Sequence, residues 1–201
     1  MEDKDFLGYF TQLGGQNTVD ELKTASANIV STLLAASTVA ATRQRRASSM
    51  DEAKEQPELA KKKATKLAAF QQKYLTGDLG DGMSADLNYT LKRLNRGLSS
   101  ENHRDKRGFF LANVEVVRRF KAKIDMVKLI AYIKEETKTS STMKNPEINA
   151  LALGQLMCLS ALVESEAYQH GAQTSLEIVD SLVSNFISLY KSYDFLRESI
   201  Q

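Results

Sequence analysis

Residues 89–120 read YTLKRLNRGLSSENHRDKRGFFLANVEVVRRF, and this stretch decides the fold. Leu87, Leu91, Leu94 and Leu98 recur every three or four residues, the spacing of one face of a helix. Phe109, Ala112, Val116 and Phe120, with Val117 beside them, make a second such face. Between the two, residues 99–105 include Ser99, Ser100, Asn102 and Asp105. Those side chains compete for backbone hydrogen bonds and so favour turns and helix N-caps. The reading is an antiparallel helix pair joined by a short connection.

The same stretch holds the densest positive charge in the chain. Between residues 92 and 123 ten basic side chains stand against Glu101, Asp105 and Glu115. That is a local surplus of seven in a chain whose formal net charge is +2. The rest of the chain is therefore net acidic. A local field of this kind favours nucleic-acid phosphate or an acidic partner. The candidate binding residues are Lys92, Arg93, Arg96, Arg104, Lys106, Arg107, Arg118 and Arg119. The competing reading is a solvated helix face, on which Lys and Arg stems cover apolar surface.

A chain of 201 residues suits one domain or one piece of a longer array. Its 42% hydrophobic content can fill a core, and only two Pro and ten Gly interrupt a composition suited to helix. One cysteine excludes an intramolecular disulfide and points to a reducing compartment. Cys158 lies in an apolar helical run and reads as a small core residue. No run of about 18 uncharged apolar residues stands out, so no membrane span is expected. The acidic start MEDKDF argues against signal and transit peptides.

Working outward, residues 5–13 suggest a short helix with Phe6, Leu7 and Phe10 apolar, stopped by Gly14 and Gly15. Thr18 with Glu21 three residues on is a capping-box spacing. Val19, Leu22, Ser26, Ile29 and Leu33 form the inner stripe of the helix that follows, expected to run to about Ala41. Residues 42–57 have one large apolar residue, Met50, and read as a mobile connection. A helix is expected at residues 58–75, then a Gly- and Asp-rich connector at 76–84. The connector lacks the Lys-Ser or Lys-Thr of a phosphate loop.

Downstream of the central pair, Asp125 can cap a helix carrying Met126, Leu129, Ile130 and Ile133. Asn145 is the expected cap of the next helix, with Pro146 at its first position. That helix, residues 146–164, is apolar nearly all round its middle and should be the most buried. Gly154 within it would permit close approach of a neighbouring helix. A last helix runs from about Ser175 to Leu196, with Ile178, Leu182, Phe186, Leu189 and Tyr190 inward. The fold class is all-α: about eight helices in antiparallel pairs, stacked as an irregular HEAT- or armadillo-like array spanning residues 1–201.

Catalytic options are few. His103 and His170 are far apart in sequence, neither has an acidic neighbour at metal-ligand spacing, and one Cys makes no pair. No catalysis, no metal and no cofactor are expected. Polymerase chemistry would need paired carboxylates holding two metal ions, and Asp3 and Asp5 at the terminus cannot supply them.

The sequence LKRLNRGLSSENHRDKRGFFLANVEVV resembles the N-terminal helical region of the nucleolar DNA polymerase phi, or Myb-binding protein 1A, family. The matching residues are Leu91, Arg93, Leu94, Arg96, Gly97, Leu98, Ser99, Ser100, Arg107, Gly108 and Phe109. A second block follows at residues 138–147 and LALGQLMCLSALVES, so the resemblance covers roughly residues 85–168. Arg107 and Gly108 are adjacent where the family has a Leu between them. Asn95 and Asn113 stand where apolar or small residues are expected. The resemblance implies a nucleolar, nuclear scaffold in ribosome biogenesis or rDNA transcription. Its partners would be pre-rRNA, rDNA chromatin and pre-ribosomal or transcription proteins, with no membrane and no small-molecule substrate. A split import signal at residues 43–46 and 61–63 would fit that location. The alternative is a helical-repeat adaptor whose basic face docks an acidic peptide. The scarcity of aromatic residues among the basic ones disfavours base stacking.

Overall fold

The computed structural model describes residues 3–14, 17–47, 79–80, 83–101, 106–169 and 174–197. Among these residues the chain is all-helical, without a strand. Seven α-helices follow in order: α1 (Asp3–Leu13), α2 (Val19–Ala47), α3 (Ala85–Ser99), α4 (Lys106–Phe120), α5 (Met126–Glu136), α6 (Asn145–Glu164) and α7 (Thr174–Ser192). Single 3₁₀ turns lie at Lys121–Lys123, Ala167–Gln169 and Asp194–Leu196. The helix expected at residues 58–75 lies outside the described residues.

The central pair folds as its two apolar faces require. Leu87, Leu91, Leu94 and Leu98 are all buried, and so are Phe109, Ala112, Val116, Val117 and Phe120. The antiparallel sense follows from the pairings across the joint. Asn95 bonds Asn113, Gly97 abuts the Phe109 ring, and the Leu98 carbonyl accepts from Lys106. As one number rises the other falls. A Cβ at Gly97 would lie 2.5–2.7 Å from three Phe109 ring atoms. At Gly108 a Cβ would collide with the Leu13 carbonyl oxygen, so the RG pair sits where α4 passes under α1. Residues 102–105 of the joint lie outside the described residues.

Helix α4 is the hub. It packs on α1, α2, α3 and α6, while α6 packs on α3, α4, α5 and α7. Thus α2, α4 and α6 lie side by side in succession. Local chemistry sets the helix starts. Thr18 Oγ1 accepts from the Glu21 amide at 3.3 Å while Glu21 Oε2 accepts from the Thr18 amide at 2.7 Å, a complete capping box. Asp125 Oδ1 accepts from the Lys128 amide at 3.1 Å and opens α5. Gly154 performs as its position in α6 suggested: a Cβ there would lie 2.5 Å from Ser99 Cα.

Several expectations need correction. Helix α2 continues through Ala47, six residues into the stretch read as a mobile connection, and residues 48–57 lie outside the described residues. The N-cap of α6 is Lys144, whose amide donates to Glu147 Oε2 at 3.1 Å, so Asn145 is already helical and Pro146 is second. Val19 and Tyr190, expected to face inward, are both exposed. Helix α6 is long and apolar enough, by length and composition alone, to cross a membrane, although Glu147 and Glu164 keep it from being an uncharged run. Packing accounts for that apolarity. Ala152, Leu156, Cys158, Leu159, Ala161 and Leu162 are buried against the four helices that surround it.

Candidate nucleic-acid interface

The eight candidate cations do not share one environment. Lys92 on α3 is 3% exposed, and its ammonium lies 5.5 Å from the centroid of the Tyr132 ring on α5. One turn on, Arg96 makes a two-pronged pair with Glu136: Nε to Oε1 is 2.6 Å and Nη2 to Oε2 is 3.4 Å. The fork geometry of guanidinium suits a carboxylate held this way. Burial and the neighbouring Glu136 carboxylate push the Tyr132 phenol well above its usual range. Lys92 and Arg96 thus fasten α3 to α5.

Lys106 is 4% exposed and donates from Nζ to the Leu98 carbonyl at 2.5 Å. Leu98 is in the last turn of α3, where carbonyls lack helical partners and the helix dipole favours a cation. Desolvation holds this ammonium below its ordinary range, with an opposing smaller contribution from Cys158. Arg118 does the same for α6. Its Nη2 donates to the Glu164 carbonyl at 2.9 Å and its Nη1 to Glu115 Oε1 at 2.7 Å. Part of the basic cluster therefore serves the C-termini of α3 and α6, which both meet α4 and take cationic donors from it.

Arg118 is itself exposed, and three further members lie on the surface. Arg93 is exposed, with its guanidinium 5.1 Å from the centroid of the Phe10 ring. Arg107 and Arg119 are exposed near opposite ends of α4. Lys123, which belongs to the charge cluster but was not singled out as a binding residue, is exposed as well. Arg104 lies outside the described residues, as do His103 and His170.

Beneath the cations runs a buried polar seam. Asn113 Nδ2 donates to Asn95 Oδ1 at 3.1 Å, and Asn95 Nδ2 donates to the Leu91 carbonyl at 2.8 Å. Ser99 Oγ donates to the Asn95 carbonyl at 3.0 Å. The two asparagines noted as departures from an apolar pattern are therefore each other's partner. Cys158 is fully buried in the same region, and desolvation raises its thiol so that it stays protonated. Among the described residues no group of three or more His, Cys, Asp or Glu side chains could hold a metal ion.

The cations that this region presents to solvent are Arg93, Arg107, Arg118, Arg119 and Lys123. Sequence reasoning missed a different feature, the outer face of α7. Leu176, Val179, Val183 and Ile187 are exposed apolar residues on it. Their spacing of three, four and four was readable beside the inner stripe, because one helix with two apolar faces must leave one of them open or give it to a neighbour.

The sequence model of the DNA polymerase phi family matches residues 89–200. The match takes in α7, beyond the blocks that carried the resemblance. No curated protein and no solved structure matches the chain.

Proposed function

Since this chain belongs to the DNA polymerase phi family, a nucleolar protein family, we propose that it is a non-catalytic scaffold of the nucleolus. In this reading it acts in ribosome biogenesis or rDNA transcription and holds pre-rRNA by phosphate contacts. The family is nuclear in general, which agrees with a nuclear location. The helices stack as an irregular HEAT- or armadillo-like array, a reading supported by the side-by-side succession of α2, α4 and α6. Pre-ribosomal and transcription proteins are the further partners of such a scaffold.

The observation that carries the reading is the division of the cationic cluster. Lys92, Arg96, Lys106 and the exposed Arg118 bond across to other helices, whereas Arg93, Arg107, Arg119 and Lys123 face outward without an ion pair or carbonyl of that kind among the described residues. These four form the ligand-facing set, and Arg104 is a further candidate from the sequence. Phosphate contacts of this type make affinity fall with salt, by a slope of roughly −0.7 per neutralised phosphate on single strands. The non-catalytic reading is supported by Cys158, whose protonated, enclosed thiol is no nucleophile.

The test is a salt titration of binding to a single-stranded oligouridine, comparing the native chain with an Arg93→Glu, Arg107→Glu, Arg119→Glu variant. Loss of about three contacts should flatten the slope by about two. An unchanged slope would remove these arginines from the interface. If the variant instead lost a poly-glutamate peptide while keeping RNA, the acidic-peptide adaptor would be the better reading.

A further inference from the structure

Helix α7 carries two apolar faces, and only one is covered. Ile178, Leu182 and Leu189 are buried against the rest of the fold. On the other side Leu176, Val179, Val183, Ile187 and Tyr190 are exposed, at 67%, 37%, 49%, 47% and 38%. Their spacing is three, four, four and three residues, so they form a single stripe along the helix. At 1.5 Å per residue the stripe is about 21 Å long, roughly four turns. Beside it runs a groove of about 490 Å³ between α6 and α7, walled by Leu156, Val163, Val183 and Phe186. A continuous apolar strip with a groove alongside is the shape that accepts the apolar face of another helix.

The charge around this strip selects among occupants. Glu164 lines the groove on the α6 side. Glu177 and Asp180 are exposed on α7, flanking the stripe on the other side. Lys191 is the one cation of α7, near its C-terminal end. Two more cations stand at the rim, each paired with a carboxylate: Arg118 with Glu115 beside the Glu164 carbonyl, and Arg197 with Asp194 over the Tyr190 ring, so the unbalanced charge is the negative charge of Glu164, Glu177 and Asp180. A second copy packed face to face would bring two acidic rims together, and like charges so opposed cost free energy. An anionic membrane surface would be repelled for the same reason. A helix with apolar residues on one face and Lys or Arg beside them meets both features at once.

We propose that the α6–α7 face is a docking groove for a basic amphipathic helix of a partner protein, separate from the arginine surface of α4. The partner's apolar residues, at helical spacing, lie along the stripe, and its flanking cations meet Glu164, Glu177 and Asp180.

The experiment uses the full 201-residue chain and two designed helical peptides of about 18 residues with the same leucine stripe. One is flanked by Lys and Arg, the other by Glu, and binding is read by fluorescence anisotropy at physiological salt. The basic peptide should bind at least roughly tenfold tighter than the acidic one. Val183→Asp and, separately, Ile187→Asp should each weaken it by about tenfold or more, with the circular-dichroism melt unchanged. A Glu177→Lys, Asp180→Lys variant leaves the apolar stripe intact and should reverse the preference between the peptides. Equal binding of both peptides, or no effect of the Asp variants, would overturn the proposal. So would a native dimer that Val183→Asp dissociates, since a second copy would then own the face. Adsorption of the native chain to anionic vesicles through this stripe would overturn it as well.

Discussion

Replacing Gly154 by Ala should destabilise the protein, although the same substitution elsewhere in a helix would stabilise it. A Cβ at Gly154 would lie 2.5 Å from Ser99 Cα and 2.9 Å from both the Leu98 carbonyl oxygen and Ser99 Oγ. Two of those three atoms are backbone, so no side-chain rotation clears the space. Helix α6 must instead move away from the end of α3. Overpacking of a tight contact costs about 1–3 kcal/mol, and the rigidity here places the cost at the upper end. Against this, Ala gains about 1 kcal/mol of helix propensity over Gly. The net loss is about 1–2 kcal/mol, which for a chain of this size lowers Tm by about 4 °C. Gly8 in α1 supplies the internal control, because a Cβ there meets nothing within 4 Å. Gly8→Ala should therefore raise stability by about 0.5–1 kcal/mol. Urea and thermal unfolding followed by circular dichroism read both variants. A Gly154→Ala protein as stable as Gly8→Ala would refute the close approach of α6 and α3.

Two further variants probe the buried polar seam. Asn113→Leu leaves Asn95 Oδ1 enclosed without its donor, at a cost of about 1–3 kcal/mol, whereas Asn95→Leu with Asn113→Leu removes both polar groups and should recover at least half of that loss; urea denaturation of the three proteins measures the coupling. For Lys106 the sign follows from its depressed value. Between the folded value and 10.5 the unfolded chain binds the extra proton, so this group's cost is full at lower pH and is relieved as pH climbs towards 10.5. The native protein should accordingly gain stability relative to Lys106→Met over that alkaline window, checked by denaturation at a series of pH values.

Much of the helical scaffold was legible because it rests on local periodicity. The leucines at 87, 91, 94 and 98 are buried together, and Thr18–Glu21 and Asp125 cap helices as their spacing implies. Gly154 was legible too, since glycine within an apolar helix has few uses other than proximity. The destination of the cations was not. Lys92 and Arg93 are neighbours in sequence, yet one is interior and the other outward, because a helix turns about 100° per residue and α3 is packed on most of its circumference. Nor does sequence reveal that Lys106 and Arg118 face the C-terminal carbonyls of other helices, since those ends converge only in the folded chain. The Asn95–Asn113 pair illustrates the same point. Each residue alone breaks an apolar pattern, and only the antiparallel register makes the two a hydrogen-bonded unit.

The split of one basic cluster into helix-joining side chains, with Lys92 and Lys106 interior, and an outer binding set is the claim on which the functional reading turns. Acetylation of the native protein with a lysine-reactive ester, followed site by site by mass spectrometry, tests it directly. Lys92 and Lys106 should react at least roughly tenfold more slowly than Lys123 and Lys134, and should match them once the chain is unfolded. Equal labelling of all four in the native protein would contradict the account.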